Sequence, residues 1–325
     1  MSGSTTRRPK HEERSGGAPA MIDVSTKPTT LRRAVAESTV EMRLETVAAI
    51  LAGDIPKGDV VEMTRATAML GLKQTPQLLP FCHPIPVDHA DVRVEAEKTT
   101  VRIQVEVAAI ARTGVEVEAM TGAAVAALNV YDMVKPVDPT AHISSVRLLK
   151  KSGGTSDFKH RGERELRAGI LVVSDRTAAG KSQDRAGAAV RVGLEAHGVT
   201  VAGFEIVPDE AEQIVDRVRR WVDDDAFDFV FTVGGTGLGP RDGTPEALRP
   251  LLEREIPGVA EAVRAYGQLR TPYAALSRTI AGQRGTTVIV ALAGSTRGAG
   301  ESVQALMPWL LHVIDVFDKS YRHGR

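Results

Sequence analysis

Residues 232–247, TVGGTGLGPRDGTPEA, require a strand, a tight turn and a helix in that order. The apolar run Phe227, Phe229, Val230, Phe231 and Val233 leads in, and Pro245–Leu252 leads out with helical patterning. Four glycines, Gly234, Gly235, Gly237 and Gly239, let the backbone turn sharply and pass close to a ligand without an intervening Cβ. N–H groups in such a turn, beside a helix start, form a cradle for an anion. Arg241 and Asp242 add a cation and a carboxylate, chemistry suited to phosphate and to a phosphate-bound metal. An ordinary surface turn explains the glycines, but the R-D-x-T-P-E-A ending is more specific than glycine content alone.

Around this block, short apolar runs alternate with helical patterns. The runs are Gly169–Val173, Val199–Val207, Phe229–Val233 and Val288–Leu292; the helical segments are Asp184–His197, Ala211–Val222, Pro245–Glu253 and Gly298–Lys319. Such alternation predicts an α/β domain with a parallel sheet wrapped by helices. Ligands in these folds sit at the carboxyl ends of strands, where the glycine block lies. The first half reads differently. Ala90–Val107 alternates as a hairpin about a Lys98-Thr99 turn, and Ile143–Lys150 reads as a closing strand. Glu41–Gly53, Val60–Lys73 and Val115–Val134 read as helices. This predicts an α+β domain with helices on one face of a mostly antiparallel sheet. The polar stretch KKSGGTSDFKHRGERE separates the halves, giving domains at 21–158 and 167–325 with a linker at 159–166. Residues 1–20, rich in Ser, Gly, Arg and Lys, are expected to be a disordered tail.

Composition narrows the function. A chain of 325 residues has room for two ordinary cores. Lys plus Arg and Asp plus Glu are 41 each, so no global field favours nucleic acid. The single cysteine, Cys82, excludes an intrachain disulfide or a multi-cysteine metal cluster. No apolar run reaches the ~18–20 residues of a membrane span. A cytoplasmic protein acting on small molecules, with neither nucleic-acid nor membrane partners, is expected.

The glycine block, together with V-V-S-D-R, I-V-P-D-E and A-L-A-G-S-T, resembles the molybdopterin-binding domain of the molybdenum-cofactor adenylyltransferase family over residues 168–321. The resemblance implies a three-layer α/β fold that transfers AMP from ATP to the phosphate of molybdopterin, with Mg²⁺ present and pyrophosphate released. Such transfer depends on positioning and charge neutralisation. By resemblance, Asp209 and Asp242 are the catalytic, Mg²⁺-handling carboxylates. Gly234, Gly235, Thr236 and Gly237 bind the pterin side, Ser174 and Asp175 end the first strand nearby, and Arg241 and Ser295 complete the pocket. Taken alone, Asp209 reads as the N-cap of the following helix. Where the family has Asn-Leu-Pro-Gly-(Ser/Asn)-Pro, this chain places Ala291, Ala293 and Thr296 at the Asn and both prolines. Proline fixes φ, so a looser loop is expected. The alternative is a second domain that holds pterin without adenylylating it.

In the first half, each charged residue singly reads as a solvated surface charge or a helix salt bridge. As a set they are more specific. M-I-D-V-S, K-G-D-V, K-x-T-x-x-L-L-P-x-C-H-P, T-G-V-E-x-E-A, Y-D-M-x-K and R-L-L-x-K-S-G-G resemble cyclic pyranopterin monophosphate synthase almost continuously from Met21 to Phe158. The resemblance implies a ferredoxin-like domain without a prosthetic group. It would rearrange a cyclised dihydro-GTP derivative to a pterin bearing a cyclic phosphate, with loss of pyrophosphate. Lys57 and Lys135 are then the candidates for proton transfer, with Asp132 orienting Lys135 from three positions away on the same helix face. A lysine acts as a base only if its pKa is lowered, which a cation cluster could do. Lys73, His83 and Lys151 would grip phosphates, and Glu116 and Glu118 would hold the guanine-derived ring. Val117 stands between them where the family has Met, and Gln74 where it often has Arg. Cys82 belongs to the same block, but neighbours in an extended segment point opposite ways, which disfavours a dyad with His83. The resemblance also implies self-association, hexameric for the first domain and trimeric for the second, compatible in one assembly with threefold symmetry.

Overall fold

The computed structural model describes residues 20–158 and 164–317. Residues 1–19 of the expected tail, 159–163 of the expected linker and the end of the expected last helix lie outside the described residues. Residues 29–153 belong to one compact unit and residues 164–317 to another.

The first unit runs β1 Thr30–Glu41, α1 Leu44–Ala52, α2 Val60–Lys73, α3 Thr75–Leu78, β2 His89–Glu97, β3 Thr100–Ala111, α4 Glu116–Val134 and β4 His142–Ser152. Its four strands form one antiparallel sheet in the order β2-β3-β1-β4. Strand β1 pairs along its whole length with β3, from Thr30 opposite Ala111 to Glu41 opposite Thr100. Sequence patterning misses this strand and starts a helix at Glu41, where the observed helix begins at Leu44.

Helix α2 starts where it does because the Asp59 carboxylate accepts from the Glu62 N–H at 3.0 Å, capping the first turn. Helix α4 lies on the sheet through Ala119, Ala123, Ala126 and Ala127, all fully buried, and the Ser38 hydroxyl of β1 donates to the Ala123 carbonyl at 2.8 Å. Small side chains are what allow so close an approach. At Gly122 a Cβ would sit 3.2 Å from the Ala68 carbonyl oxygen of α2. Asn129 donates to Thr64 at 3.3 Å, while Gly71 faces Val125, so α2 and α4 run antiparallel. Lys73, the last residue of α2, therefore lies at the amino end of α4.

The second unit runs β5 Leu166–Val173, α5 Asp175–Ala178, α6 Ala186–Glu195, β6 Val199–Val207, α7 Ala211–Arg219, β7 Phe229–Val233, α8 Thr244–Leu248, β8 Arg254–Glu255, α9 Pro257–Gln268, β9 Ala281–Arg284, β10 Thr287–Leu292, α10 Thr296–Leu306 and α11 His312–Phe317. The sheet order is β6-β5-β7-β10-β9-β8. One core packs Val190, Leu194, Val263 and Val303 against one face of the sheet; another packs Ile214, Val218 and Leu248 against the other.

The expectation of a parallel sheet holds for four strands and is corrected to a mixed sheet by the other two. Strands β6, β5, β7 and β10 are parallel, but β9 runs antiparallel to β10 and β8 antiparallel to β9. The last expected helix is also divided: α10 stops at Leu306, before Pro308, whose ring and missing N–H cannot continue it. No helix among the described residues is long and apolar enough to cross a membrane.

Candidate functional site

In the first unit the candidate residues fall into two clusters at opposite ends of α4. At its carboxyl end two lysines grip Asp132. Lys57 Nζ donates to Asp132 Oδ2 at 2.6 Å and to the Asp132 carbonyl at 2.8 Å; Lys135 Nζ reaches Oδ1 at 2.7 Å. Lys135 and then Lys57 hold the Asp132 carboxyl down at about 2. In return, the hydrogen bond that Lys135 donates to Asp132 pushes Lys135 up. The lowered lysine pKa anticipated from a cation cluster is therefore not seen at Lys135; the paired carboxylate outweighs the effect of burial and keeps it protonated.

At the amino end, Glu118 is 2 % exposed and its Oε2 has no hydrogen-bond partner among the described residues. Burial pushes the Glu118 carboxyl up. Cys82 Sγ lies 3.7 Å from Glu118 Oε1, and burial pushes its thiol up as well. That thiol also approaches the His83 carbonyl at 3.8 Å, so its partners are Glu118 and backbone rather than the imidazole. Glu116 pairs with Lys151 at 3.2 Å. Half-buried His83 follows Cys82, exposed Val117 sits in the first turn of α4, and Lys73 joins this end through the antiparallel packing of α2. Sixteen positions of helix separate Glu116 from Asp132, about 24 Å at the usual rise per residue. One chain does not bring the two clusters together.

Asp138, which sequence reasoning passed over, is fully buried beside the carboxyl end of α4. It accepts from Arg43 N at 2.8 Å, Thr46 Oγ1 at 2.7 Å, Thr140 N at 3.0 Å and Thr140 Oγ1 at 2.6 Å. Its role is to fix the turn after α4, and only the P-V-D-P-T turn composition hints at it.

In the second unit the glycine loop leaves β7 at the carboxyl edge of the parallel strands. Gly234 has φ +118°, and a Cβ there would stand 2.2 Å from the Val173 carbonyl oxygen, so only glycine fits. Asp209 is not the N-cap of α7, which begins after Glu210 without a side-chain cap. Instead Asp209 Oδ2 accepts from the Asp175 N–H at 2.9 Å, and Asp175 Oδ1 accepts from the Asp209 N–H at 3.0 Å. Burial pushes the Asp209 carboxyl up, and the carboxylates of Asp175 and Asp242 add to that. Asp242 Oδ2 accepts from Gly239 N at 2.7 Å. Arg241 is occupied: Nε and Nη2 fork onto Asp175 at 3.1 and 3.0 Å, and Nη2 reaches Glu210 at 2.8 Å. Ser174 caps α5 by accepting from Thr177 N at 3.3 Å, and Ser295 caps α10 by accepting from Gly298 N at 3.1 Å. Thr236 is buried within the loop.

Two cavities flank the loop and share Gly235, Asp242 and Gly294. The larger, ≈ 550 Å³, adds Thr236, Gly237, Arg264, Tyr273 and Leu276. The smaller, ≈ 430 Å³, adds Ser174, Asp184, Asp209 and Gly234 and is the more polar. The arrangement suits two ligands meeting at Asp242, one with an apolar body and one with polar or charged groups. Among the described residues no group of three or more His, Cys, Asp or Glu side chains could hold a metal ion by itself. Asp209 and Asp242, which both line the smaller cavity, fit an Mg²⁺ that arrives on phosphates, since such an ion takes only one or two carboxylates from the protein. Sequence reasoning passed over Arg278, which hydrogen-bonds the Gly237 and Asp242 carbonyls of the loop; nothing in L-S-R-T distinguishes it from a surface arginine.

Residues 21–154 match the MoaC family, and residues 169–312 match a family described as probable molybdopterin binding domain. A molybdenum cofactor biosynthesis bifunctional protein of Chlorobaculum tepidum is 40% identical over 296 residues, covering 91% of this chain and 94% of that protein. One of the same description from Synechococcus elongatus is 33% identical over 317 residues, covering 94% and 99%. A cyclic pyranopterin monophosphate synthase of Roseiflexus castenholzii is 45% identical over 148 residues, covering 45% of this chain and 93% of that one.

Proposed function

Because the chain belongs to the molybdenum cofactor biosynthesis bifunctional proteins, with a MoaC-family first half, we propose that it carries two activities on separate units. The first unit converts a cyclised dihydro-GTP derivative to cyclic pyranopterin monophosphate and releases pyrophosphate. The second binds molybdopterin and transfers AMP to its phosphate from Mg-ATP. The β-α-β-β-α-β order of the first unit supports the ferredoxin-like reading.

The observation that carries the first assignment is the Lys57–Asp132–Lys135 group. With Asp132 ionised and Lys135 protonated, Lys135 is set as a proton donor; a phosphate or ring anion displacing Asp132 would release either lysine to move a proton. Glu116 and Glu118 accept from the amino and ring N–H groups of the pterin precursor, while Lys73, His83 and Lys151 take its phosphates. Since one chain holds these groups at opposite ends of α4, we read the complete site as shared between two copies, which makes the protein a homo-oligomer.

For the second unit, the two cavities meeting at Asp242 support a pterin on one side of the loop and a nucleotide on the other. Mg²⁺ would neutralise the ATP phosphates and the pyrophosphate that leaves. Asp209 and Asp242 would hold that ion, and the N–H groups of the glycine loop would face the anionic groups. A pterin-holding module without transfer is the competing reading; the second, more polar cavity beside Asp209 and Asp242, room for a second ligand, favours catalysis.

Mass spectrometry of the purified full chain tests both halves. With the dihydro-GTP derivative, cyclic pyranopterin monophosphate is expected from the wild type and not from Lys57→Ala. With molybdopterin and Mg-ATP, adenylylated molybdopterin is expected from the wild type and not from Asp242→Ala. Binding of molybdopterin without AMP transfer would reduce the second unit to a holding module.

A further inference from the structure

We propose that Arg278 is the positioning residue of the second unit's cleft, acting on the glycine loop rather than on either ligand. The inference rests on reading that loop as a phosphate cradle. Glycines are costly to order, so a loop with Gly234, Gly235, Gly237, Gly239 and Gly243 needs an external restraint to present one conformation. Arg278 supplies it. Its backbone N–H donates to the Thr236 carbonyl at 3.0 Å and its Nε to the Gly237 carbonyl at 2.6 Å. Its Nη2 takes the Asp242 carbonyl, and its Nη1 takes the Glu246 carboxylate in α8.

One residue thus ties three carbonyls of a single loop to the first turn of the helix that follows. The guanidinium is planar with its N–H directions fixed, so the Gly237 and Asp242 carbonyls are held in one fork. The chain between them arches, and within the arch Gly239 N donates to the Asp242 carboxylate. In a trans peptide the C=O and N–H point opposite ways. Drawing the Thr236 and Gly237 carbonyls toward Arg278 therefore turns the N–H groups of Gly237 and Leu238 away from it. Neither N–H has a hydrogen-bond partner among the described residues. They are donors left for an anion, and Gly237 lines the larger cavity.

The arginine stands on firm ground. Two residues on, the Ile280 carbonyl accepts from Ala291 N of β10 at 2.9 Å, and between them the Thr279 carbonyl accepts from Arg264 at 3.0 Å. The sheet thereby sets the position of the clamp, and the clamp sets the loop.

Full-length Arg278→Ala and Arg278→Lys test this by hydrogen exchange, by Mg-ATP and molybdopterin binding, and by AMP-transfer kinetics. In Arg278→Ala, the hydrogen-bonded loop amides of Gly239 and Asp242 should exchange roughly tenfold faster or more, with β7 and β10 unchanged. Affinity should fall by about tenfold, with KM carrying more of the loss than kcat. Millimolar guanidinium should restore binding to Arg278→Ala, whereas Arg278→Lys, a point charge that cannot fork two carbonyls, should recover less than half. Unchanged loop exchange overturns the assignment, as does faster exchange with unchanged binding. A wild type that binds molybdopterin but transfers no AMP defeats the adenylylation reading, while exchange and binding still judge Arg278. Should Arg278→Ala not fold, Glu246→Gln keeps the guanidinium and removes its charge partner; intermediate loop exchange supports the clamp, and no change overturns it.

Discussion

Asp175 and Asp209 hold each other in place, the backbone N–H of each donating to the carboxylate of the other at 2.9 and 3.0 Å. The exchange ties the end of β5 to the end of β6. It consumes one Asp209 oxygen and leaves Oδ1 on the side of Gly235. Asp175 thus orients Asp209, whose second oxygen stays on the side of the glycine loop.

Asp209→Asn separates orientation from charge. The amide oxygen still accepts from the Asp175 N–H, so stability should change by no more than about 0.5 kcal/mol. On the proposed function the charge that would meet a phosphate-borne Mg²⁺ is gone, and AMP transfer should drop on the order of a hundredfold. Thermal melting beside a transfer assay across an Mg²⁺ series checks both. Full transfer activity in this variant would assign Asp209 to the fold alone.

Asp138 makes a prediction about acid stability. Burial pushes its carboxyl up, but hydrogen bonds from Arg43, Thr140 and Thr46 win and hold it well below the usual range. A carboxyl whose folded pKa lies below its unfolded value contributes fully above that value, about 3.9, and loses the contribution as pH falls through the folded pKa. Asp138→Ala leaves buried donors unsatisfied and should cost on the order of 3 kcal/mol at pH 7. Urea unfolding should show the gap between wild type and variant narrowing below about pH 4.

How far such features can be read from the chain depends on which force writes them. Helix α2 is legible to the residue, since Asp59 caps it locally on the Glu62 N–H and its end at Lys73 precedes Thr75-Pro76. Strand β1 is not. Its buried face is Arg32, Ala34, Ala36, Ser38 and Val40, small or polar because α4 must lie close, and small residues carry little strand propensity. Strands β8 and β9 are two and four residues long, held by pairing partners rather than by their own patterning. Of the candidate site residues, motif residues such as Asp132 and Asp242 stand out because their neighbours in sequence are distinctive. Arg278 does not, because its importance lies in carbonyls some forty positions earlier in the chain.

Glu118 carries the opposite sign from Asp138. Burial raises its carboxyl, so ionising it in the folded protein is penalised, and that penalty grows as pH rises from the unfolded value, about 4.3, through the folded one. Glu118→Gln removes the charge at constant shape. The variant should be more stable than wild type at pH 8, by up to about 1–3 kcal/mol, and indistinguishable near pH 4. Synthase activity should fall in the same variant. Stability curves at the two pH values check the first claim, and a loss of stability at pH 8 would mean the carboxylate is better satisfied than its orphaned Oε2 implies.

Thr296→Pro addresses the altered loop before α10. Thr296 is the first helical position after the Ser295 cap, where the N–H has no partner within the helix and proline's φ is already suitable. Ser295 has φ −77° and ψ 139°, the extended conformation that a residue before proline prefers. The substitution should stabilise the protein by about 0.4–1 kcal/mol, chiefly by restricting the unfolded chain. Denaturant midpoints measure this; destabilisation would show that the loop relaxes into a different start of α10.

The split of the first site across α4 yields the sharpest prediction. If one copy supplies the Lys57–Asp132–Lys135 end and another the Glu116–Glu118–Lys151 end, a variant damaged at either end is inactive by itself. Mixed with a variant damaged at the other, it should regain activity. A two-fold pair formed from Lys57→Ala and Glu116→Ala chains contains one site with both defects and one with neither. Random exchange then makes half of the pairs mixed and about a quarter of all sites intact. Mixing the two inactive proteins under conditions that permit subunit exchange should therefore restore roughly a quarter of wild-type synthase activity, and mixing Lys57→Ala with Asp132→Ala should restore none. Recovery in the first mixture alone establishes a shared site. No recovery in either, with exchange demonstrated by native mass spectrometry of labelled chains, would require the two ends of α4 to serve different functions within one chain.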